Sequence, residues 1–539
     1  MKLPQIKQIR FNITEIFAAG FIWMFTVALI IVPSASLAGY DAFYNAAVAE
    51  LMKNGTWVIK DFPWTTCSVW VHSYFDKEWL FHLFLVPFIS IFGKIEGIKF
   101  VTAFTVFFIA VAWGLLLKSA GVKKYIFWAL VFILFSTGYI FPARIALCRS
   151  LLFSLLFLPL ALSALLTRSK ILLAVVLFLY TLSYVGAWQV IPLIIIYDII
   201  YFRSYGTGIK NILKNLILPW GILGITAGLL CSPYFPENIK GIFIQTVMVL
   251  KAKWYGTGAA DLMQASELEP IQFSRLIWHL PLFILVIHAI TNLFKIPEFR
   301  KNFRSPAGYF SVLTVLYMIL TIFSQRFIEY FAPVSGVFLF IVYTNYGKEL
   351  LQTVKIEPLK KLLTHHPAAA LALVLVPVGI ISINMLFHNF YKPELFYRKS
   401  SDWLSKHIKD NQIIFTTGWN DSSVLFCHVP QFRYLVMLEP YFMYAYSPEK
   451  FILWQKISKG KIENPSLLIK SEFDSSVVFV THNMQALKHK LLMDPYAELQ
   501  YESKETGESI FTLSVPKTEL EKFRNLQKSL KNRNFNDKS

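Results

Sequence analysis

The sequence predicts a polytopic α-helical membrane protein with about eleven transmembrane helices, a large first outer loop and a small C-terminal α/β domain outside the membrane. Three observations predict it. The 539-residue chain is 55% hydrophobic and 16% aromatic but only 16% charged, a balance that belongs to membrane proteins rather than soluble ones. Its apolar residues gather into runs of roughly 20, the length that crosses a bilayer. Its cations gather between alternate runs, as they do on cytoplasmic loops. A net charge of +19 would suggest nucleic acid in a soluble protein; here topology accounts for it, and no nucleic-acid partner is expected.

Spanning runs lie near 12–35, 98–118, 125–141, 150–167, 213–231, 277–294, 307–323, 328–346 and 368–388. Residues 171–202 are too long for one span and, broken at VGAWQ (185–189), give a hairpin of two short helices. The N-terminal MKLPQIKQIR has no small-residue cleavage site, so the first helix is read as uncleaved. EWLFHLFLVPFISIFG (78–93) is short, carries His82 and Pro87, and is read as interfacial. With that segment not crossing, the cations of each even-side loop fall together: Lys2, Lys7 and Arg10, then Lys118, Lys123 and Lys124, then Arg168 and Lys170, then Arg203, Lys210 and Lys214. Lys295, Arg300, Lys301 and Arg304, then Lys348, Lys355, Lys360 and Lys361, follow on the same side. The N-terminus is therefore cytoplasmic in a multi-pass plasma (inner) membrane protein, and everything after about residue 389 is outside.

The outer face then holds a first loop (35–97), a short loop PARIALCRS (142–150), a third loop (232–276) and the C-terminal region. The chain divides into a membrane domain (1–390), an outer α/β domain (391–516) and a basic polar tail (517–539), which is expected to be disordered beyond a short helix. In the outer domain SDWLSKHIKD reads as an amphipathic helix, QIIFTT, FRYLVML and SSVVFVTH as strands, GWNDSSVLF as an Asp-capped helix start, NMQALKHKLLM as a helix and AELQYESKETGESIFTLS as a hairpin. The four cysteines, Cys67, Cys148, Cys231 and Cys427, lie far apart with no CxxC pair, so neither a zinc site nor a redox motif is offered.

Candidate functional residues cluster on that outer face. Asp41 precedes a run in which Phe43, Ala47, Val48, Leu51 and Met52 recur at helical spacing up to Asn54-Gly55, a good helix stop. The run reads as a helix lying on the membrane, and Asp41 as either its N-cap or a functional carboxylate. HSYFDKEW supplies His72, Asp76, Lys77 and Glu78, either solvated charges at headgroup level or an ammonium and carboxylates suited to acid–base work with an anionic leaving group. Arg149 and Arg326 sit at outer helix ends, where each either snorkels, pairs with a neighbour such as Glu329, or clamps phosphate through its planar guanidinium. The third loop, with Trp254, Tyr255, Asp261, Glu267 and Glu269, has the character of a lid without a specific motif. Asp421, Cys427 and His428 lie close together in sequence, as a site or as scattered loop polar groups.

DAFYN (41–45) after the first span, the D-K-E-W-L-F-H segment running to Phe92-Gly93, the R-x-x-x-x-R loop from Arg144 to Arg149, the broken hairpin and the late R-F-x-x-Y-x-x-P element at 326–333 resemble the GT-C superfamily of membrane glycosyltransferases. The branch they resemble is that of protein mannosyltransferases and aminoarabinose transferases, while D-x-x-Y-N and its helix resemble the start of oligosaccharyltransferase catalytic subunits. The likeness covers roughly residues 10–390 as architecture and a handful of residues as motif. It implies an inverting transfer from a polyprenyl-phosphate-linked sugar to an extracytoplasmic acceptor at the membrane surface. It implies Asp41 as the general base, Lys77 and Arg326 as ligands of the donor phosphate, and Asp76 or Glu78 as orienting the acceptor or Lys77; Arg149 is a further candidate for the phosphate by its guanidinium chemistry, and His72 and Tyr44 are further acceptor-side candidates.

Superfamily members that use a divalent metal carry an acidic D-x-D or similar element in the second outer loop. This chain has Leu147-Cys148-Arg149-Ser150 there, which argues against a metal, and no other cofactor is indicated. The proline pair usual after the lysine is replaced by Glu78-Trp79, and no WWD-like element is present, which argues against protein N-glycosylation. The competing readings are a transporter or lipid flippase using the break near Gly186, and a non-catalytic surface-polysaccharide assembly protein. Against transport, ionisable residues within the spans are few, Asp198 being the clearest.

Overall fold

The computed structural model describes residues 13–204, 208–249, 266–352, 357–390 and 397–536. Lys2, Lys7, Arg10, Lys355, Trp254, Tyr255 and Asp261 lie outside the described residues. Among those described, six helices are long and apolar enough to cross a membrane: Ile13–Ile31, Lys94–Ser119, Arg275–Leu293, Pro306–Phe323, Gln325–Gln352 and Pro367–His388. Helices Ile209–Asn215 and Leu218–Cys231 make a further span if taken together, bent by 46°. Shorter apolar helices Ile126–Phe135, Leu151–Leu166, Lys170–Ser183 and Val185–Tyr201 fill the bundle, and the last begins with the 3-10 turn Val185–Gln189 where the break was expected.

The 46° bend has a local cause. Pro219 opens helix Leu218–Cys231, and the buried Asp198 carboxylate accepts the N–H groups of Ile217 (3.3 Å) and Leu218 (3.0 Å). Those are amides that a helix start leaves without intrahelical partners, so Asp198 caps a helix rather than lining a path for cargo. The same helix seats against Lys170–Ser183 through Gly224 and Gly228. A Cβ at Gly224 would lie 2.5 Å from the Ala174 carbonyl oxygen, and one at Gly228 would lie 2.7 Å from Thr181 Cβ. With lipid as solvent, such close backbone approach is what holds two helices together.

Helix Trp79–Phe92 has 14 residues, about 21 Å at 1.5 Å per residue, short of the roughly 30 Å hydrocarbon core. It ends at Gly93, whose φ of 80° turns the chain directly into Lys94–Ser119. Helix Tyr40–Lys53 forms and stops as its sequence suggests, with the Gly55 N–H bonding Met52 O at 3.2 Å. It presents no open apolar face, since every residue from Ala42 to Ala49 is buried. Small side chains at Ala42, Ala46 and Ala49 let it pack between Trp79–Phe92 and the outer-domain helix Trp419–His428.

The outer domain is built on strands β1 (Ile413–Thr416), β2 (Arg433–Tyr434), β3 (Val477–Val480), β4 (Ala497–Glu502) and β5 (Ser509–Leu513), ordered β2-β1-β3-β5-β4. β1 runs parallel to β2 and β3, and β5 is antiparallel to β3 and β4. FRYLVML yields only the two-residue β2, because the first outer loop lies along that edge. Tyr434 N bonds Trp64 O at 2.7 Å, Thr66 N bonds Tyr434 O at 2.9 Å and Cys67 N bonds Leu435 O at 2.8 Å. The loop thus covers an edge that would otherwise expose unpaired amides. Phe62, Trp64 and Phe426 pack ring to ring across the same seam.

Three expectations for this region change. Helices Tyr441–Tyr446, Pro448–Ser458 and Pro465–Phe473 join those read from the sequence. The tail, expected to be disordered beyond a short helix, forms the 20-residue helix Lys517–Asn536. The N-cap of Trp419–His428 is Gly418 rather than an aspartate, and Asp421 turns inward instead.

Candidate active site

Two polar clusters flank helix Tyr40–Lys53. The first begins at Asp41, in the first turn of the helix, whose N-cap is Gly39 with no side-chain cap bond. Asp41 is therefore not the cap. Its Oδ2 lies 2.9 Å from Arg149 Nε, on the loop between Ile140–Ile145 and Leu151–Leu166. Arg149 Nη1 reaches Glu267 Oε2 at 3.1 Å, which also receives Arg144 Nη2 at 2.8 Å, while Arg326 Nη1 is 3.2 Å from Glu267 Oε1. Arg144 Nε in turn contacts Glu329, so Glu329 partners Arg144 and not Arg326. Three guanidinium groups thus face three carboxylates drawn from four separate stretches of chain. Burial alone would raise the Glu267 carboxyl, but Arg326, Arg144 and Arg149 outweigh it and hold the group well below the usual carboxylate range.

The second cluster is local and dry. His82 Nδ1 is 2.7 Å from Asp76 Oδ2, and its Nε2 is 2.9 Å from Asn45 Oδ1. Asn45 Nδ2 donates to Cys148 O at 2.8 Å, and the Glu78 N–H donates to Asp76 Oδ1 at 2.8 Å. Burial pulls the His82 ring down, yet the Asp76 charge and hydrogen bond prevail and its pKa is raised. Lys77 pairs with Glu78 at 3.4 Å. Asn45 and Asp41 stand one turn apart on the same helix, so both clusters hang from it.

Asp76 and Lys77 close one end of a crevice whose other walls include Thr181, Val185, Leu229 and Asn238. Thr181, Val185 and Leu229 also line an apolar groove of about 300 Å³ with Trp188, Ile225, Phe243 and Val247. Tyr184 borders that groove and accepts a hydrogen bond from Arg326 Nη2 at 3.3 Å. The outer domain adds Glu439, which accepts from Gln245 Nε2 at 3.3 Å. Burial raises its pKa while Lys77 and Arg326 act to lower it, so both cations lie within electrostatic reach of this one carboxylate.

The sequence-derived residues divide accordingly. Asp41, Arg149 and Arg326 meet through Glu267, and Lys77, Asp76 and Glu78 meet at the crevice. Tyr44 is buried, with its hydroxyl 3.1 Å from that of Tyr74, and His72 stands apart against Tyr446. Asp421 and His428 are two turns apart on one helix, about 10 Å along its axis; Asp421 accepts from Tyr397 (3.0 Å) and Thr417 (3.4 Å), and His428 packs on Phe43. That trio forms no common site. Glu267, Arg144, His82, Asn45 and Glu439 were not singled out as site residues. Arg144 had a signal in the Arg144–Arg149 spacing, whereas Glu267 and Glu439 are single acids in unpatterned loops.

A divalent ion does not fit this donor set. Among the described residues no group of three or more His, Cys, Asp or Glu side chains is placed to hold one, and the space between Asp41 and Glu267 is bridged by Arg149.

No family model and no curated protein matches the sequence. Solved structures do share the fold. The Archaeoglobus fulgidus oligosaccharyltransferase in the apo form aligns with a TM-score of 0.61 at 13% identity, over 95% of this chain and 75% of that one. ArnT from Cupriavidus metallidurans bound to undecaprenyl phosphate aligns with a TM-score of 0.55 at 10% identity, over 94% of this chain and 99% of that one. The arabinofuranosyltransferase AftD from Mycobacteria aligns with a TM-score of 0.52 at 12% identity, over 93% of this chain and 40% of that one. The chain therefore shares its fold with these three proteins.

Proposed function

We propose that this protein is a membrane glycosyltransferase that moves a sugar from a polyprenyl-phosphate donor to an extracytoplasmic acceptor, with inversion at the anomeric carbon. The observation that carries the reading is the junction of an apolar groove with a small crevice lined by Asp76 and Lys77, with Arg326 bonded to Tyr184 at the groove's border. ArnT, of the same fold, holds undecaprenyl phosphate, and a groove rimmed by Trp188, Phe243 and Val247 suits an isoprenoid chain with its phosphate at Lys77 and Arg326.

In this reading Asp41 takes the proton of the acceptor. The acceptor oxygen bonds to the anomeric carbon as the bond from that carbon to the phosphate oxygen breaks, and the electron pair leaves with the lipid phosphate. Fixed cations at Lys77 and Arg326 stabilise the charge that builds there, which lowers the barrier because the interaction strengthens toward the transition state. Glu78 orients Lys77, and Asp76, locked by His82, shapes the acceptor side. Eleven spans follow if the bent pair and the four shorter apolar helices cross while Trp79–Phe92 stays in the interface. The cytoplasmic N-terminus and outer location of the domain at 391–516 and tail at 517–539 go with that topology.

The test is a lipid profile by mass spectrometry from cells lacking the protein, with and without the wild-type chain restored. A polyprenyl-phosphate-linked sugar should accumulate without the protein and disappear on restoration. An unchanged lipid profile contradicts the proposal.

A further inference from the structure

We infer that Arg149 is a built-in cation, holding Asp41 and Glu267 together as a divalent ion holds converging carboxylates, so that transfer proceeds without such an ion. The inference rests on the reading of Asp41 as the base, and it changes the part played by Arg149 from a ligand of the donor phosphate to a positioning residue for that base.

The geometry carries it. Asp41 begins one helix and Glu267 lies in the 3-10 turn Ser266–Leu268, two elements with no other polar link between those two carboxylates among the described contacts. Arg149 reaches each with a different nitrogen: Nη1 donates to Glu267 Oε2 at 3.1 Å, and Nε lies 2.9 Å from Asp41 Oδ2 as a close charge contact without hydrogen-bond alignment. Its own place is fixed by backbone bonds on both sides: Arg149 N to Leu147 O at 2.9 Å, and Leu152 N to Arg149 O at 3.0 Å. Arg149 meets Asp41 through Oδ2.

Electrostatics points the same way. Arg144, Arg149 and Arg326 already match Asp41, Glu267 and Glu329 in number. A divalent ion added at this point would meet three guanidinium groups at close range, and its best anionic ligand is shared among all three. A permanent, tethered charge also costs no ion-binding equilibrium and no ordering of water around a metal.

Four preparations in liposomes test this, supplied with the lipid fraction that accumulates in cells lacking the protein. Wild type stripped with EDTA should keep its transfer rate within twofold, and Mn²⁺ titrated onto it should give no stoichiometric bound signal by electron paramagnetic resonance. Arg149→Ala should lose about 100-fold in rate, on the scale of a lost acid–base arrangement, and recover when guanidinium is added to the medium. Arg149→Lys, which keeps the charge but not the fork, should stay impaired at an unchanged thermal midpoint and stay insensitive to EDTA. Loss of wild-type transfer in EDTA with restoration by Mn²⁺, a stoichiometric Mn²⁺ signal that Asp41→Asn removes, or full activity in Arg149→Lys each overturns the inference. Asp41→Asn assayed in parallel separates the two ideas, since wild-type activity there defeats the base assignment whatever EDTA does.

Discussion

The two polar clusters beside helix Tyr40–Lys53 are built in opposite ways. The Asp76–His82–Asn45 group is fully buried, made mostly from one stretch of the first outer loop, and closed on itself by hydrogen bonds of 2.7–2.9 Å. The Asp41–Arg149–Glu267 group keeps 21–28% of its side-chain surface accessible and joins residues more than 100 positions apart. A closed network rigidifies what surrounds it, whereas an accessible one can meet a substrate. On the proposed function, the buried group shapes the site and the open group, with Lys77, carries the chemistry.

The largest effect that sharpens this division is expected at Lys77. Lys77→Ala should lower the transfer rate by about 10²–10³, as removal of one fixed charge from a developing anion does, while the thermal midpoint in detergent stays at the wild-type value. Trp188→Ala should leave the maximal rate near wild type and raise the half-saturating donor concentration about tenfold, from an apolar contact worth ~1.5 kcal/mol. His82→Ala should behave in the other way. Leaving Asp76 and Asn45 buried without their partner costs about 1–3 kcal/mol of stability, read as a lowered unfolding midpoint, with the rate of the folded fraction reduced less than tenfold. A rate loss at His82 as large as that at Lys77, at unchanged stability, breaks the division.

The smallest effect concerns the seam to the outer domain. Burial raises Asp421 to about 7, above the ordinary aspartate value near 4. The folded state therefore favours the protonated carboxyl, so this contribution is complete below about pH 4 and is lost as pH rises through about 7. Wild type should lose thermal stability between pH 5 and pH 8 relative to Asp421→Asn, which lacks that titration. Parallel curves for the two proteins contradict it.

Much of the architecture was legible because bilayer physics writes it plainly. Apolar run length marked the six long apolar helices, and the break at 185–189 and the helix stop at Asn54-Gly55 were read correctly. What was not legible depends on long-range partners. FRYLVML reads as a strand, but its backbone is taken up by the Trp64–Cys67 loop after two residues. Helix Tyr40–Lys53 looks amphipathic, yet Asn45 and Tyr44 on its polar side are buried against His82 and Tyr74. Asp41 stood out through its position after the first span, whereas Glu267 carries no local pattern and acquires its importance only when three arginines converge on it.

The account rests most heavily on the Asp41 carboxylate. Purified wild type and Asp41→Asn, matched for thermal midpoint and reconstituted in liposomes with an excess of protein over the accumulated lipid-linked sugar, give a single turnover that reports the chemical step alone. Wild type should discharge the sugar, and Asp41→Asn should bind the lipid equally well but leave it at least about 100-fold slower to react. Discharge by Asp41→Asn at the wild-type rate would contradict the account.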